Sequence, residues 1–452
     1  MFTPMMHDLR RKIRPATETN SKMIDGHEAL VQNNSEKSSH QALTVLVVDE
    51  ELPFPLNTGK RIRTYNLLKK LASLHEITFL CHRNENAEEL KHGIEEFRRL
   101  GITIDFLERK LPQPTLLTSK PRLAFQLGIN LFSHYPYVVQ KNVSSELRRR
   151  VNERVRQANV DLVHFEWTPY AAAVKKTLCK PWVVDAHNVE SLIWKRYAQF
   201  ETNPIKIAYV RYQWKKMDRF ERKVFQKATR TIFVSKIDSE IARDEFGCQR
   251  RAVVDNGVDV SQFPFIDQTN RDPEKLLFLG SLDWRPNIDG INFFLDEIWP
   301  LILSKRPSLK LDIVGRTPAS SLAKRISQEV NVTLYKDVPS VQPFLKQAGL
   351  MVVPLRIGGG SRLKILEALS MGLPVISTAV GAEGLDMESG THFSQADSAE
   401  EFTEAVVEST DNPQSLSKMV HAARMLVEER YDWSMLAKYL DAVWQSVVRS
   451  AT

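Results

Sequence analysis

Cysteine is scarce: the 452 residues hold three, Cys81, Cys179 and Cys248. No CxxC pair or Cys/His cluster is present, which argues against a disulfide scaffold or structural zinc site and fits a reducing cytoplasm. Eighteen glycines and 22 prolines are too few for a collagenous or low-complexity chain. No apolar run exceeds about eight residues (Leu43–Val48 and Leu350–Leu355 are the longest), against the roughly 20 that a membrane-spanning helix needs. Residues 1–41 contain no apolar h-region, so they read as a disordered leader and not as a secretory signal. Excess charge of one sign is small as well: 62 basic against 55 acidic residues, net +7. That is less than a dedicated nucleic-acid binder shows. It suits anionic small molecules or an anionic membrane face.

What is present is a regular alternation. The length allows two or three domains, each able to bury a core. Leu43–Val48 (LTVLVV) is a continuous β-branched run that stops at Asp49, as in a strand buried on both faces of a parallel sheet. Helical spacing follows over Arg63–Leu74, then strand and helix patterns alternate to Ala252–Val254. Residues 261–275 are polar and Pro-containing and read as a linker. A second series starts at Leu276 and closes with an apolar-striped helix over Met435–Val448. Two such series predict an α/β chain with two facing, doubly wound, parallel-sheet (Rossmann-like) domains, at 42–260 and 276–434. Ligands of such sheets bind beyond the carboxyl ends of the strands. Here those ends carry Asp49, Glu166, His187, Gly280, Gly315 and Gly358–Gly360, so an interdomain cleft is the expected site.

The richest segment is Val353–Leu385, VPLRIGGGSRLKILEALSMGLPVISTAVGAEGL. Gly358, Gly359 and Gly360 would expose backbone N–H groups to a phosphate. The helix after them aims its N-terminus at the same place. Arg362 and Lys364 add positive charge, and Glu367, about a turn on, could accept hydrogen bonds from a ribose. In this order they describe a nucleotide-sugar site; a solvated Arg/Lys helix after a glycine loop is the plainer alternative.

This segment resembles the donor-site signature of glycosyltransferase family 4, retaining enzymes of the GT-B fold, in the G-G-x-R-x-K-x-x-E-A form of exopolysaccharide-cluster sugar transferases. The resemblance runs from about Leu43 to Leu440. It implies that Glu367 binds the nucleotide ribose. The family's other glutamate, eight positions earlier, is replaced by Gly359. After the first strand of the second domain the family often carries an arginine and a lysine for the diphosphate; Ser281 takes the place of the first and Asn287 lies near that of the second. Arg362 and Lys364 are expected to replace that charge, with Gly280 and Gly315 also on the donor side.

In the first half, VVDAHNVES puts Asp185, His187 and Asn188 just past a strand. His187 resembles the family histidine near the reacting carbon, against the plainer reading of a structural histidine. The loop ELPFPLNTGKRIRTYN resembles the family's P-x-x-x-G-x-x-x-R start, with Gly59 near the donor phosphate and Arg63 opening the helix. An ordinary strand-to-helix turn would give the same pattern. Arg63, Glu166, Asn188 and Glu383 are the candidate acceptor or cleft residues. Between Lys195 and Arg251 there are 15 Lys/Arg against 7 Asp/Glu. An amphipathic helix over Ile205–Ala228 could therefore lie on an anionic membrane, or it could cover the sheet with a solvated basic face.

The resemblance implies sugar transfer from a nucleotide diphosphate sugar to a hydroxyl of a glycan or lipid-linked acceptor, with retention of configuration. No G-x-G-x-x-G is present, so no dinucleotide cofactor is expected; no DxD-like pair sits at a strand end, so no metal is expected. Two alternatives stay open: an epimerase on the same fold, and a nucleotide-sugar-binding partner without activity.

Overall fold

The computed structural model describes residues 40–107, 119–157, 159–175, 179–200, 203–357 and 362–451. The leader read at 1–41 (all but its last two residues) and the Gly358, Gly359 and Gly360 triplet lie outside the described residues.

The chain forms two parallel sheets. The first contains β1 (Thr44–Val48), β2 (Glu76–His82), β3 (Thr103–Leu107), β4 (Leu162–Phe165), β5 (Trp182–Ala186), β6 (Arg230–Phe233) and β7 (Arg251–Val253), in the order β3-β2-β1-β4-β5-β6-β7. The second contains β8 (Asp272–Leu279), β9 (Lys310–Gly315), β10 (Val332–Lys336), β11 (Ala348–Val353), β12 (Val375–Ser377) and β13 (Ser394–Gln395), in the order β10-β9-β8-β11-β12-β13. The alternating pattern therefore predicts the fold class correctly.

Both sheets are buried on both faces, because side chains alternate with period two. Val45 and Val47 enter one core, and Leu46 and Val48 the other. Leu276 and Phe278 against Leu277 and Leu279 repeat this in the second sheet. Each sheet reverses its winding once, between β1 and β4 and between β8 and β11. A crevice opens at such a point beyond the strand ends, and these two reversals position the site.

The closing helix runs Trp433–Arg449. Its Leu436, Leu440, Val443, Trp444 and Val447 pack with Leu67, Leu68, Leu71 and Phe79, inside a core of the first sheet. The chain thus ends on the domain that it made first.

The expected linker needs correction. Residues 272–275 belong to β8 and not to a linker. Pro273 has no N–H for a ladder, and the pairing absorbs it through a register shift between Ala348 and Leu350. The stretch before it is docked: the Ser370 hydroxyl donates to Phe263 O (3.1 Å), and buried Arg271 donates to Leu345 O and Ala348 O (2.6 and 3.1 Å). After β4 the chain makes a 3-10 turn at Thr168–Ala173. The basic helix, at Pro204–Lys227, buries Val210, Met217, Phe220 and Val224, and the last three join a core of the first sheet. Its apolar stripe is thus occupied by protein.

Candidate active site

The donor-side helix Leu363–Ser370 starts at the switch point of the second sheet, with Arg362 in the N-cap position. Arg362 is buried, and its Nη2 donates to Val380 O at 2.9 Å. Lys364, the second residue of the helix, is half-buried. Its Nζ donates to Leu279 O (2.8 Å) and to Asn287 Oδ1 (3.3 Å), and lies 5.0 Å from the centre of the Phe278 ring. The ammonium thus sits at the carboxyl end of β8. Burial, and then the Arg362 charge, pull its pKa down to about 7. Burial pushes the Glu367 carboxyl up to about 7. Each group is shifted toward its neutral form, as expected where charges are held away from water.

Around Lys364 the turn after β8 is braced from within. Asn287, near the place of the family lysine, donates from Nδ2 to Ser281 O at 2.9 Å. The Ser281 hydroxyl donates to Asp283 (2.8 Å). Gly280 and Gly315 are close-approach positions. A Cβ on Gly280 would lie 2.7 Å from the Asn287 side chain, and one on Gly315 would lie 2.2 Å from Gly280 O. Gly315 is buried, and its backbone packs under the turn after β8.

In the first domain the chemistry gathers at the ends of β1, β4 and β5. Buried Asp49 pairs with Lys60, which lies 5.7 Å from the Trp167 ring centre. Glu166 is buried and accepts from the Thr64 hydroxyl at 2.8 Å. The His187 Nε2–H donates to the Glu166 backbone O (2.8 Å), leaving Nδ1 for a ligand. Burial holds the His187 pKa below its usual value, so the ring is neutral near pH 7.

Two of the candidate cleft residues are corrected. Arg63 is fully buried, with Nε and Nη2 on Asp185 Oδ2 (3.0 and 2.9 Å) and Nη1 on Asp255 O (2.6 Å). It ties the ends of β5 and β7 together and reaches no acceptor. Glu166 likewise faces inward.

A further buried pair, His164 and Trp444, has no local signal in the sequence. The Trp444 indole N–H donates to His164 Nδ1 at 3.1 Å, so His164 Nε2 carries the ring proton and faces Glu166 Oε1 at 3.3 Å. His164, Glu166 and Asp185 stand close enough together to resemble a metal triad. Neither nitrogen of His164 has a lone pair to offer, however, and Arg63 covers Asp185. The three side chains instead take partners outside the cluster: Trp444 for His164, Thr64 for Glu166 and Arg63 for Asp185.

Asn188, Ser235 and Asp255 of the first domain face Arg362 and Glu383 of the second across a narrow crevice. Two candidate cleft residues, Asn188 and Glu383, are thus brought together with Arg362, and His187 precedes Asn188 in the chain. A second interdomain opening carries Asp49, Thr58, Lys60 and, from the other domain, Arg316. Gly59, the first residue of the helix Gly59–Leu71, lies between Thr58 and Lys60.

Two family models match this chain: Glycosyltransferase Family 4 over residues 59–262 and Glycosyl transferases group 1 over residues 273–412. A Klebsiella pneumoniae relative, "Uncharacterized 44.6 kDa protein in cps region", is 22% identical over 401 residues, 86% of this chain and 96% of its own length. The phosphatidyl-myo-inositol mannosyltransferase of Mycobacterium tuberculosis is 25% identical over 209 residues, 44% of this chain and 54% of that protein. Among solved structures, Anabaena HepE in complex with UDP and glucose superposes with a TM-score of 0.62 at 13% identity, covering 89% of this chain and 100% of that one. The fold is that of a GT-B glycosyltransferase. The chain belongs to glycosyltransferase family 4.

Proposed function

We propose that the protein is a retaining hexosyltransferase that moves a sugar from a nucleotide diphosphate sugar to a hydroxyl of a glycan or lipid-linked glycan, in exopolysaccharide or other surface-glycan synthesis. The observation that carries this reading is the crevice in which Arg362 faces Asn188, the neighbour of His187, across the domain boundary. The cps-region relative supports the pathway class, and the UDP complex of HepE supports the donor class.

The chemical task is to stabilise the diphosphate as it leaves. Preorganised cations and N–H groups in a water-poor site do this well. Arg362, Lys364 and the N-terminus of their helix would take the two phosphates, and Glu367 the ribose. Lys364 is poised near neutrality without a ligand; a bound diphosphate would raise its pKa and restore the ammonium. Two cations on one helix then supply the charge for which other transferases use a metal. His187 would offer Nδ1 to the donor sugar from the opposite wall. With Gly359 in the place of a carboxylate, departure and attack on one face of an ion pair accounts for retention. We place the reaction in the cytoplasm or at its membrane face: the three cysteines are unpaired, and none of the described helices is long and apolar enough to cross a membrane.

The test is a panel of UDP-, GDP- and dTDP-sugars scored by thermal stabilisation, then by transfer. A donor present at about 100 times its Kd raises stability by about 2.7 kcal/mol. No stabilisation by any member would remove the proposal.

A further inference from the structure

An open groove of about 570 Å³ lies on the first domain and shares no lining residue with the crevice. Its floor is apolar and aromatic, with Tyr135, Trp182, Phe220 and Val224. Lys175, Arg219, Lys223 and Lys227 stand over it, all exposed. Among the described residues none of the four makes an ion pair and no carboxylate lines the groove.

Beside this groove the helix Ser119–Leu131 leaves apolar side chains uncovered. Phe125 is 69% exposed, Ile129 47%, and Phe132, just past the helix end, 94%. Their i, i+4, i+7 spacing puts them on one face. That helix is fixed to the groove wall. Gln213 Nε2 donates to Asn130 Oδ1 (2.7 Å), Lys216 Nζ to Asn130 O (2.6 Å), and the Tyr212 hydroxyl to Leu131 O (2.7 Å). An uncovered apolar stripe thus adjoins four unpaired cations on one rigid edge.

A partner for such an edge must offer phosphates or other anions beside apolar matter. A protein surface seldom presents both over this extent, whereas the headgroup zone of an anionic bilayer does. We propose that this face docks on an anionic membrane, with Phe125, Ile129 and Phe132 entering the interface and Lys175, Arg219, Lys223 and Lys227 holding lipid phosphates over the groove. This deepens the proposed transfer to a lipid-linked acceptor by naming the surface that meets the membrane. The membrane expectation thereby moves from the buried stripe of the helix Pro204–Lys227 to that helix's outer cations and its neighbour's apolar face.

The test is vesicle flotation of the full chain, which reads no sugar transfer and so fails or succeeds independently of the proposed activity. Phosphatidylcholine vesicles holding roughly 30 mol% phosphatidylglycerol should carry the protein, and pure phosphatidylcholine should not. Added salt should weaken the binding. The triple variant Arg219→Gln, Lys223→Gln, Lys227→Gln should lose roughly 100-fold in partition. The triple variant Phe125→Ser, Ile129→Ser, Phe132→Ser should keep only a salt-sensitive remainder. All six side chains lie outside the catalytic machinery, so the melting temperature and transfer to a water-soluble acceptor should be unchanged in both variants. Equal partition of wild type and variants would overturn the proposal. So would a dimer in light scattering that the serine variant dissolves with vesicle binding intact, because a second copy would then cover the stripe.

Discussion

Trp444, on the last helix, donates its indole N–H to Nδ1 of His164 on β4, at 3.1 Å, with both side chains fully buried. This single bond decides which nitrogen of His164 carries the proton and turns it toward Glu166. Trp444→Phe keeps most of the ring volume but leaves a buried acceptor without a partner. A loss of about 1–3 kcal/mol is expected, read from the denaturant midpoint at unchanged slope. An unshifted midpoint would show the bond to be energetically silent.

Arg63 and Asp185 form a second buried pair. Arg63→Ala strands the Asp185 carboxylate, which costs about 3–5 kcal/mol when a buried pair is broken. The expected result is a large stability loss measured by chemical unfolding, with the acceptor KM of the remaining folded enzyme unchanged. A raised acceptor KM at full stability would return Arg63 to the cleft.

Lys364→Ala should lower kcat about 100-fold or more, the range for losing one donor that stabilises developing charge. Its pKa of about 7 adds a further prediction. At pH 8 the free enzyme holds Lys364 mostly neutral. A bound diphosphate favours the ammonium, so UDP or GDP binding should take up a proton, close to one in the limit. Calorimetry in buffers of different ionisation enthalpy measures this uptake. Uptake should shrink toward pH 6, where Lys364 is already charged, and should vanish in Lys364→Arg. The folding linkage has the same origin. Because the folded pKa lies below the unfolded one, the unfolded chain binds the extra proton between about pH 7 and pH 10, and Lys364 makes stability rise with pH across that window.

Gly315→Ala tests the packing under the donor turn. The new methyl would meet Gly280 O and Leu282 Cγ at 2.2 and 2.6 Å, and a backbone atom cannot rotate away. Overpacking of this kind costs about 1–3 kcal/mol, which should appear as a lower melting temperature. The donor KM should rise with it, since Gly280 carries the strain to Lys364.

The strands and the two-sheet plan were legible because parallel strands buried on both faces leave unbroken runs such as TVLVV and LMVV, and parallel strands need helical crossovers between them. Arg362 and Lys364 were legible because local order in the chain, strand then glycines then helix, fixes them near a strand end. Other features depended on distant contacts. Arg63 carries the same motif whether it faces the cleft or Asp185, 122 positions away. His164 and Trp444 lie 280 positions apart, with nothing local to link them. Pro273 looked like a linker signal because the irregular pairing that accommodates it belongs to β11. The helix Ser417–Leu426 was not anticipated, since it follows a short Pro-initiated turn.

The return of the final helix to the first sheet has a consequence for biosynthesis. The domain that leaves the ribosome earliest keeps one hydrophobic flank bare, around Leu67 and Phe79, until residues 433–449 have been translated. Its nascent form must wait, partly open, through production of the whole second lobe. That flank is therefore the last apolar surface of the first sheet to be covered.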